Sequence, residues 1–435
     1  MDPNENLVQP EISPKRNQGK KPALLRALGL GLITGAADDD PSAIGTYAAA
    51  GATIGPSFLW TSLVTFPMMF AVVYLSAKLG QVAGKGLFGV IRDRYPKWIL
   101  YSALTGVLFG NVIEAGADIG GMAAAINLLV PIPFGWIVIG VAVAILSLQI
   151  WGSYILIRNI FRWLALALLA YIGSAILAKP DVLSTIRGTL IPTIHFDKGF
   201  LAMLVAVIGT SLSAYLYTWQ SNVEVEEKIA RGRKRLSQRT GATKEELRES
   251  RFDILGGMLF SNVIMYFIIL STSATLFKAG KTDINTAADA AQALRPLAGN
   301  GASLLFALGI IAVGFLAVPV MTTGAAYDLA QTMGWKHGLS AVPKEAKKFY
   351  GAIVVFTIVA ICLNFAGLNP MKFLVFSGIV QGFSTPPLML LIMLMTNNRA
   401  IMGDQVNSVT MNVLGWVTTG CIFAATAGLI VTWFI

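Results

Sequence analysis

Three consecutive carboxylates, Asp38, Asp39 and Asp40, interrupt the first long apolar segment of this 435-residue chain. A carboxylate near the middle of a bilayer costs roughly 3 kcal/mol or more, so such residues usually line a polar pathway. Pro41 follows at once and disfavours a straight helix, because proline lacks an amide hydrogen. Interrupted helices expose carbonyls and helix ends, which secondary transporters use to bind ions. The segment predicts a cation-binding break at Asp40, with Asp38 or Asp39 capping the next half-helix or lining an entrance.

A second polar cluster lies in the middle of the sixth apolar segment, where Gly209, Thr210, Ser211 and Ser213 follow one another closely. The first and sixth segments are equivalent if ten helices form two halves of five. Interrupted segments at corresponding positions indicate a transport site. Serine and threonine also join membrane helices by hydrogen bonds, so the cluster alone leaves both interpretations open.

The elements that position these residues are membrane helices. Hydrophobic residues make up 55% of the chain and charged residues 13%, whereas soluble domains are about one quarter charged. We therefore predict an all-α membrane protein. Apolar segments of about 17–25 residues predict eleven spans, at 24–53 (broken), 56–78, 99–129, 134–151, 155–178, 200–220, 254–278, 302–329, 350–367, 371–396 and 409–434.

The distribution of basic residues predicts the orientation. Residues 1–22 are polar and basic without a cleavage site, which indicates a cytoplasmic tail rather than a signal peptide. Residues 23–435 then form one transporter domain in the cell membrane. The charged segment 222–253, between helices six and seven, is expected to be a cytoplasmic helix or hairpin with mostly solvated charges. Eleven spans place the C-terminus outside. The net charge of +10 belongs to these loops, so it does not indicate a nucleic-acid partner.

The chain lacks the residues that several classes of protein need for their function. Both cysteines lie in apolar segments and both histidines in loops, so neither a disulfide framework nor a histidine cluster is expected. There is no phosphate-binding loop of the Walker type, which argues against ATP drive. An enzyme is disfavoured, and no cofactor is expected. An amino-acid/sodium symporter is also disfavoured, because Asp40 would repel the substrate carboxylate. The expected partners are a divalent cation and the lipid bilayer, and the protein is expected to be a monomer.

The residues around the two breaks resemble motifs of the NRAMP family of divalent-metal transporters. Asp40-Pro41-Ser42-Ala43 is similar to the family's Asp-Pro-Gly-Asn, and Gly209 to Leu216 is similar to its Gly-Ala-Thr-Val-Met-Pro-His-Asn. The likeness spans nearly the whole chain. It implies a LeuT-type 5+5 inverted repeat with helices 1 and 6 broken at mid-membrane, and transport by alternating access.

The resemblance also implies which residues hold the metal, and the departures from the motif bear on the ion. Asp40 is retained, Ala43 and Ser213 replace the family's Asn and Met ligands, and Thr210 stands at the carbonyl ligand. Asp39 is a further metal candidate. Without the soft thioether, an oxygen-only site favours a hard ion, which predicts partly hydrated Mg²⁺ and also admits Mn²⁺. The alternative is a proton-coupled Mn²⁺ or Fe²⁺ importer of the conventional kind.

Four residues are candidates for the ion pathway. Glu114 and Asp118 are four residues apart and project from one helix face; the resemblance places Asp118 on the proton route, whereas the alternative is an acidic pair at an aqueous rim. Tyr215 replaces the family's histidine, and tyrosine loses its proton only near about pH 10. Transport is therefore predicted not to be strictly proton-coupled. Gln381 flanks the site, or else only joins helices.

Overall fold

The computed structural model describes residues 30–151, 168–339, 341 and 343–434 of the chain. Regular structure within these ranges is helical, and they contain no strand. The principal helices are α1 (Leu30–Asp38), α2 (Pro41–Thr53), α3 (Trp60–Ala83), α4 (Leu87–Arg94), α5 (Lys97–Leu129), α6 (Phe134–Trp151), α7 (Leu169–Leu177), α8 (Val182–Leu190), α9 (Lys198–Ser211), α10 (Ala214–Ala230), α11 (Lys244–Thr272), α12 (Ala302–Met333), α13 (Lys347–Leu363), α14 (Pro370–Thr396) and α15 (Val409–Val431).

Seven helical stretches of the described residues are long and apolar enough to cross a membrane. The predicted total of eleven is therefore not confirmed. Residues 24–29 of the first predicted span and 155–167 of the fifth lie outside the described residues, as does the predicted tail 1–22. The all-α membrane class agrees with the helices that are described.

The first predicted break separates α1 from α2. Asp40 is extended (φ −66°, ψ 173°), and its side chain accepts a hydrogen bond from the Ala43 amide at the start of α2. Pro41 takes the first helical position, where no amide donor is needed. Asp40 itself is thus the N-cap. The expectation that Asp38 or Asp39 caps α2 is wrong, because Asp38 is the last residue of α1 and Asp39 has no role in the cap.

The second predicted break separates α9 from α10. Leu212 (φ −123°, ψ 33°) leaves the helical conformation, and Ser213 (φ −56°, ψ 135°) is extended before α10 begins. The Ser213 hydroxyl turns back toward the carbonyls of Gly209 and Thr210, at 3.0 Å each. Serine can hydrogen-bond in this way to nearby backbone groups, which helps to end α9 without leaving its last carbonyls unpaired.

The two halves of this sixth membrane helix are held in different ways. Gly209 of α9 lies against the backbones of Gly378 and Gly382 in α14, and a side chain at position 209 would overlap both. Close backbone contact of this kind needs small residues.

The other half, α10, is connected to its neighbours by a chain of polar side chains. Thr34 of α1 donates to Gln220 (2.5 Å), and Gln220 and Gln81 of α3 both donate to Glu224 (3.1 and 2.7 Å). These bonds join α1, α3 and α10 on the side of the break away from α9.

The charged segment 222–253 is less exposed than its composition predicts. Its first residues continue α10 to Ala230, and its last belong to α11, which Thr243 opens with a capping box. Glu224 and Lys228 are buried. The Lys228 ammonium donates to the carbonyls of Gln81 and Gly241, both at 2.6 Å. Part of the charge run therefore fastens helices together instead of forming a solvated face.

Candidate functional site

The site forms where the two helix breaks face α5 and α14. Asp40 is fully buried there. Its Oδ1 accepts hydrogen bonds from the Ala43 amide (2.6 Å) and the Ser42 hydroxyl (2.7 Å). Its Oδ2 lies 3.0 Å from the Tyr215 hydroxyl, which also lies 2.7 Å from the carbonyl of Ala37. The first break thus presents its carboxylate to a residue of the second.

Glu114 of α5 connects the two broken helices. One of its carboxylate oxygens lies 3.2 Å from the Ser42 hydroxyl and 3.0 Å from the Ser213 hydroxyl. The other accepts from the Gln381 amide at 2.6 Å. Glu114 is fully buried, so it belongs to the site, and the alternative of an aqueous rim does not fit it.

Asp118 lies one turn further along α5 and is also fully buried. Its Oδ1 accepts from the backbone amide of Ser42 at 2.9 Å, and its Oδ2 has no hydrogen-bond partner. The i, i+4 spacing predicted from the sequence thus brings Glu114 and Asp118 to the same serine. Asp40, Glu114 and Asp118 are joined through Ser42, and we call these three the carboxylate cluster.

Oxygen acceptors in this cluster outnumber the hydrogens available to them. The Ser42 hydroxyl has one hydrogen and lies within reach of carboxylates of both Asp40 and Glu114. The Ser213 hydroxyl has one hydrogen and three acceptors near it. Among the described residues, no lysine or arginine forms an ion pair with the cluster. Buried carboxylates without a basic partner require positive charge, from a metal cation or protons.

The carboxylates do not suffice as ligands by themselves. Within the described ranges, no group of three or more His, Cys, Asp or Glu side chains is arranged to hold a metal ion. An ion at the cluster would therefore also use hydroxyls, backbone carbonyls and water. Such mixed oxygen sites are typical of Mg²⁺ and Mn²⁺.

The other predicted site residues fall in different places. Ala43 contributes only its amide, to Asp40. The carbonyl of Thr210 faces Ser213, while its hydroxyl is buried toward Gly378 of α14 without a hydrogen-bond partner. Thr210 can therefore offer a backbone ligand, as the resemblance implies.

Gln381 has a larger part than its sequence position suggested. Besides Glu114, its amide group contacts Asn111, Ser384 and the backbone amide of Ala214 at the start of α10. Its two predicted roles, at the site and between helices, are combined in one side chain.

Asp39 points away from the carboxylate cluster. Its Oδ1 lies 3.1 Å from the Ser261 hydroxyl of α11, and Asp38 lies 2.5 Å from the same hydroxyl. One oxygen of each carboxylate is left without a partner. The structure therefore does not bring Asp39 together with Asp40 and Glu114, and its predicted place among the metal ligands has no support in its contacts.

Sequence reasoning missed Ser42 and Ser261, the two hydroxyls that organise these carboxylates. Ser42 was visible as the residue after Asp40-Pro41, but its partners on α5 depend on tertiary packing. Asp328 was also missed. It is an isolated acid inside the apolar segment 302–329, and it gives the same signal that singled out Asp40.

Comparison with known proteins places this geometry in a family. Residues 31–432 match the family described as natural resistance-associated macrophage protein-like (Nramp). The divalent metal cation transporter MntH of Deinococcus radiodurans is 26% identical over 407 residues, covering 92% of this chain and 88% of that protein.

Solved structures agree on the fold. A manganese transporter of Eremococcus coleocola superimposes with a TM-score of 0.71 at 18% identity, over 95% of this chain and 88% of that one. Mhp1, a transporter of the nucleobase-cation-symport-1 family, superimposes with a TM-score of 0.51 at 12% identity, over 93% and 92% of the two chains. The LeuT-type fold with two broken helices, expected from the sequence, is confirmed.

Proposed function

This chain belongs to the Nramp family of divalent-metal transporters, and from that premise we propose that it carries Mn²⁺ across the membrane by alternating access, with Asp40 as the central ligand. The cation binds between the two helix breaks. It is held by Asp40 and Glu114, by carbonyls at the end of α9, and by retained water. Asp118 contributes charge from the next turn of α5.

One observation carries this proposal, the shortage of hydrogens around Ser42 and Ser213. A cation between the breaks accepts lone pairs from oxygens that these two hydroxyls cannot all satisfy. When the ion leaves, the hydroxyls return to the carboxylates but cannot neutralise them, so protons must replace the charge of the ion. The same oxygens thus serve an occupied and an empty site.

The relatives favour Mn²⁺ over the Mg²⁺ preference expected from the sequence. They include proteins named as a divalent metal cation transporter and a manganese transporter, and carboxylate, carbonyl and water ligands suit Mn²⁺ as well as Mg²⁺. Mg²⁺ is the second candidate. It is supported by Ser213. The hydroxyl of this residue, which contacts Glu114, stands where the resemblance implies a thioether.

The orientation and assembly belong to the same proposal. Residues 1–22 and the junction between α10 and α11 lie on the cytoplasmic side, the C-terminus lies outside, and the protein works as a monomer in the cell membrane. The basic residues between α10 and α11 support this orientation, because such residues stay on the cytoplasmic side.

The test measures uptake of Mn²⁺ and of Mg²⁺ into proteoliposomes by wild type and Asp40→Asn. Asparagine caps a helix as well as aspartate, so the variant removes charge while keeping the start of α2. We expect loss of Mn²⁺ uptake to the level of empty liposomes. Asp404→Asn, the same change at an exposed position, is expected to behave as wild type. Wild-type uptake by Asp40→Asn would refute the site, and Mg²⁺ uptake without Mn²⁺ uptake would favour the second candidate.

A further inference from the structure

Asp328 of α12 is a buried carboxylate that the proposed site does not use. It is 0% exposed, and neither of its oxygens has a hydrogen-bond partner. In the described part of the chain no lysine or arginine pairs with it. Burying a carboxylate in this way is costly unless a ligand or a proton compensates it, so its place in the fold needs an explanation.

The surroundings of Asp328 are polar but supply no positive charge among the described residues. Thr218 and Asn222 of α10 face it. The single hydrogen of Thr218 is used elsewhere, whereas Asn222 keeps a second amide hydrogen that can turn toward Asp328. The Thr218 hydroxyl donates to the carbonyl of Tyr215 (3.2 Å), and the Asn222 amide donates to the carbonyl of Thr218 (2.8 Å). Thr332 lies one turn along α12 from Asp328, and its buried hydroxyl also has no hydrogen-bond partner. Unsatisfied oxygens therefore lie on one face of α12.

Asp328 lies between the carboxylate cluster and the far end of α10. Ser213 contacts the cluster, and Thr218 and Asn222 follow it by about 7 and 14 Å along the helix at 1.5 Å per residue. Glu226 comes one turn later, is only partly buried, and accepts from Tyr327 at 2.9 Å. Carboxylates thus occur at three levels along α10, from the buried cluster to the partly exposed end.

We propose that Asp328, with Thr332 and Thr218, is a second cation site, which the transported divalent ion occupies after leaving Asp40. The inference rests on the proposed function and adds an intermediate position to it. One carboxylate with neutral oxygens binds a partly hydrated ion more weakly than a cluster of three carboxylates. Weak binding suits such a position, because an ion in transit must be able to leave it.

The test counts Mn²⁺ ions bound to the purified full-length protein, by equilibrium dialysis and by the electron paramagnetic resonance signal of free Mn²⁺. Wild type is expected to bind one ion tightly and a second at least tenfold more weakly. Asp328→Asn should keep the tight ion, lose the weak one, and reduce Mn²⁺ uptake at least tenfold. Thr332→Val, which keeps the shape and removes an oxygen, should weaken the second ion without changing the first. Asp404→Asn is the matched control and should leave both ions in place.

The opposite results separate the two proposals. If Asp328→Asn retains both ions and normal uptake, Asp328 is a neutral structural acid and the inference is wrong. If the variant instead loses a dependence of uptake on Na⁺ while both Mn²⁺ ions remain, the site takes a monovalent cation, which overturns the divalent assignment. If Asp40→Asn leaves the tight ion bound, the proposed function itself fails, whatever Asp328 does. Should Asp328→Asn not fold, Thr332→Val decides by the same measurement.

Discussion

At the scale of single residues, we expect ion selectivity to depend on which atom faces Glu114 across the second break. That atom is the Ser213 hydroxyl, at 3.0 Å, and the methyl side chain of Ala43 offers no ligand. Both residues are fully buried. A thioether at position 213 and an amide at position 43 would change a hard site into a mixed one, and soft ligands favour soft metals.

We therefore predict that Ser213→Met combined with Ala43→Asn raises uptake of Cd²⁺ relative to Mg²⁺ about tenfold, equivalent to about 1.4 kcal/mol of differential binding. The measurement is competition between the two ions in proteoliposomes. Ser213→Ala separates loss of the hydroxyl from gain of the thioether, and it should not favour Cd²⁺. An unchanged ratio in the double variant would contradict the argument from ligand softness. Larger side chains here cost about 1–3 kcal/mol through overpacking, so folding is checked by thermal melting.

Residue types and register predicted which residues meet at the candidate site but not how they are connected. Asp40 and Ser213 were identifiable because a charge or a hydroxyl cluster inside an apolar segment is unusual. The function of Ser42 depends on α5 lying beside it, about seventy residues away in sequence, which no local pattern contains. Asp39 was a further metal candidate beside Asp40, but the turn between α1 and α2 sends the two side chains to different helices.

At the scale of elements, the contact between α9 and α14 fixes one side of the site. Gly209 meets the backbones of Gly378 and Gly382 with no room for a side chain. Any shift of α9 would move the carbonyls of Gly209 and Thr210, which face Ser213. The geometry of the second break therefore depends on a glycine about one turn of helix away.

We predict that Gly209→Val abolishes uptake and lowers the melting temperature, because overpacking costs about 1–3 kcal/mol or more where neither backbone can yield. Uptake and thermal melting in detergent are both measured. The matched control is Gly420→Val in α15, where an added side chain meets no atom within 4 Å, and it should change neither. A Gly209→Val protein that transports normally would show that α9 can move away from α14.

The helix breaks were predictable because Pro41 and the Gly209–Ser213 cluster are local signals. The burial of Glu224 and Lys228 was not. Their charges are typical of a solvated face, but Gln81 of α3, which contacts both of them, comes from another part of the chain. The count of eleven spans stays a prediction.

At the scale of the whole molecule, charge balance bears on coupling. The carboxylate cluster carries three negative charges when fully ionised, and a divalent cation supplies two positive ones. One proton would restore neutrality in a buried site, where uncompensated charge is costly. The absence of a histidine at Tyr215 predicted transport without strict coupling, yet Glu114 and Asp118 provide groups that can carry protons.

We predict that Mn²⁺ uptake acidifies the lumen of sealed vesicles and that Asp118→Asn reduces protons moved per Mn²⁺ while Mn²⁺ binding persists. A pH-sensitive dye inside the vesicles reports the protons, and an isotope reports the metal. Asp289→Asn, at a partly exposed position on a different segment, serves as the control and should leave the ratio unchanged. Uptake with no change in luminal pH in wild type would instead support the prediction, made from the sequence, of transport without strict proton coupling.

The two halves of the sixth helix are held by different contacts, and we expect water to take part in the conformational change for this reason. Separating α9 from α14 would open a dry gap between backbones, whereas the bonds joining Thr34, Gln220 and Glu224 can be exchanged for bonds to water at little net cost. We therefore expect the molecule to take up water on the α10 side when it opens and to release it there when it closes. Water activity then acts on the conformational equilibrium as a ligand concentration does, and an osmolyte too large to enter favours the closed state without touching the metal.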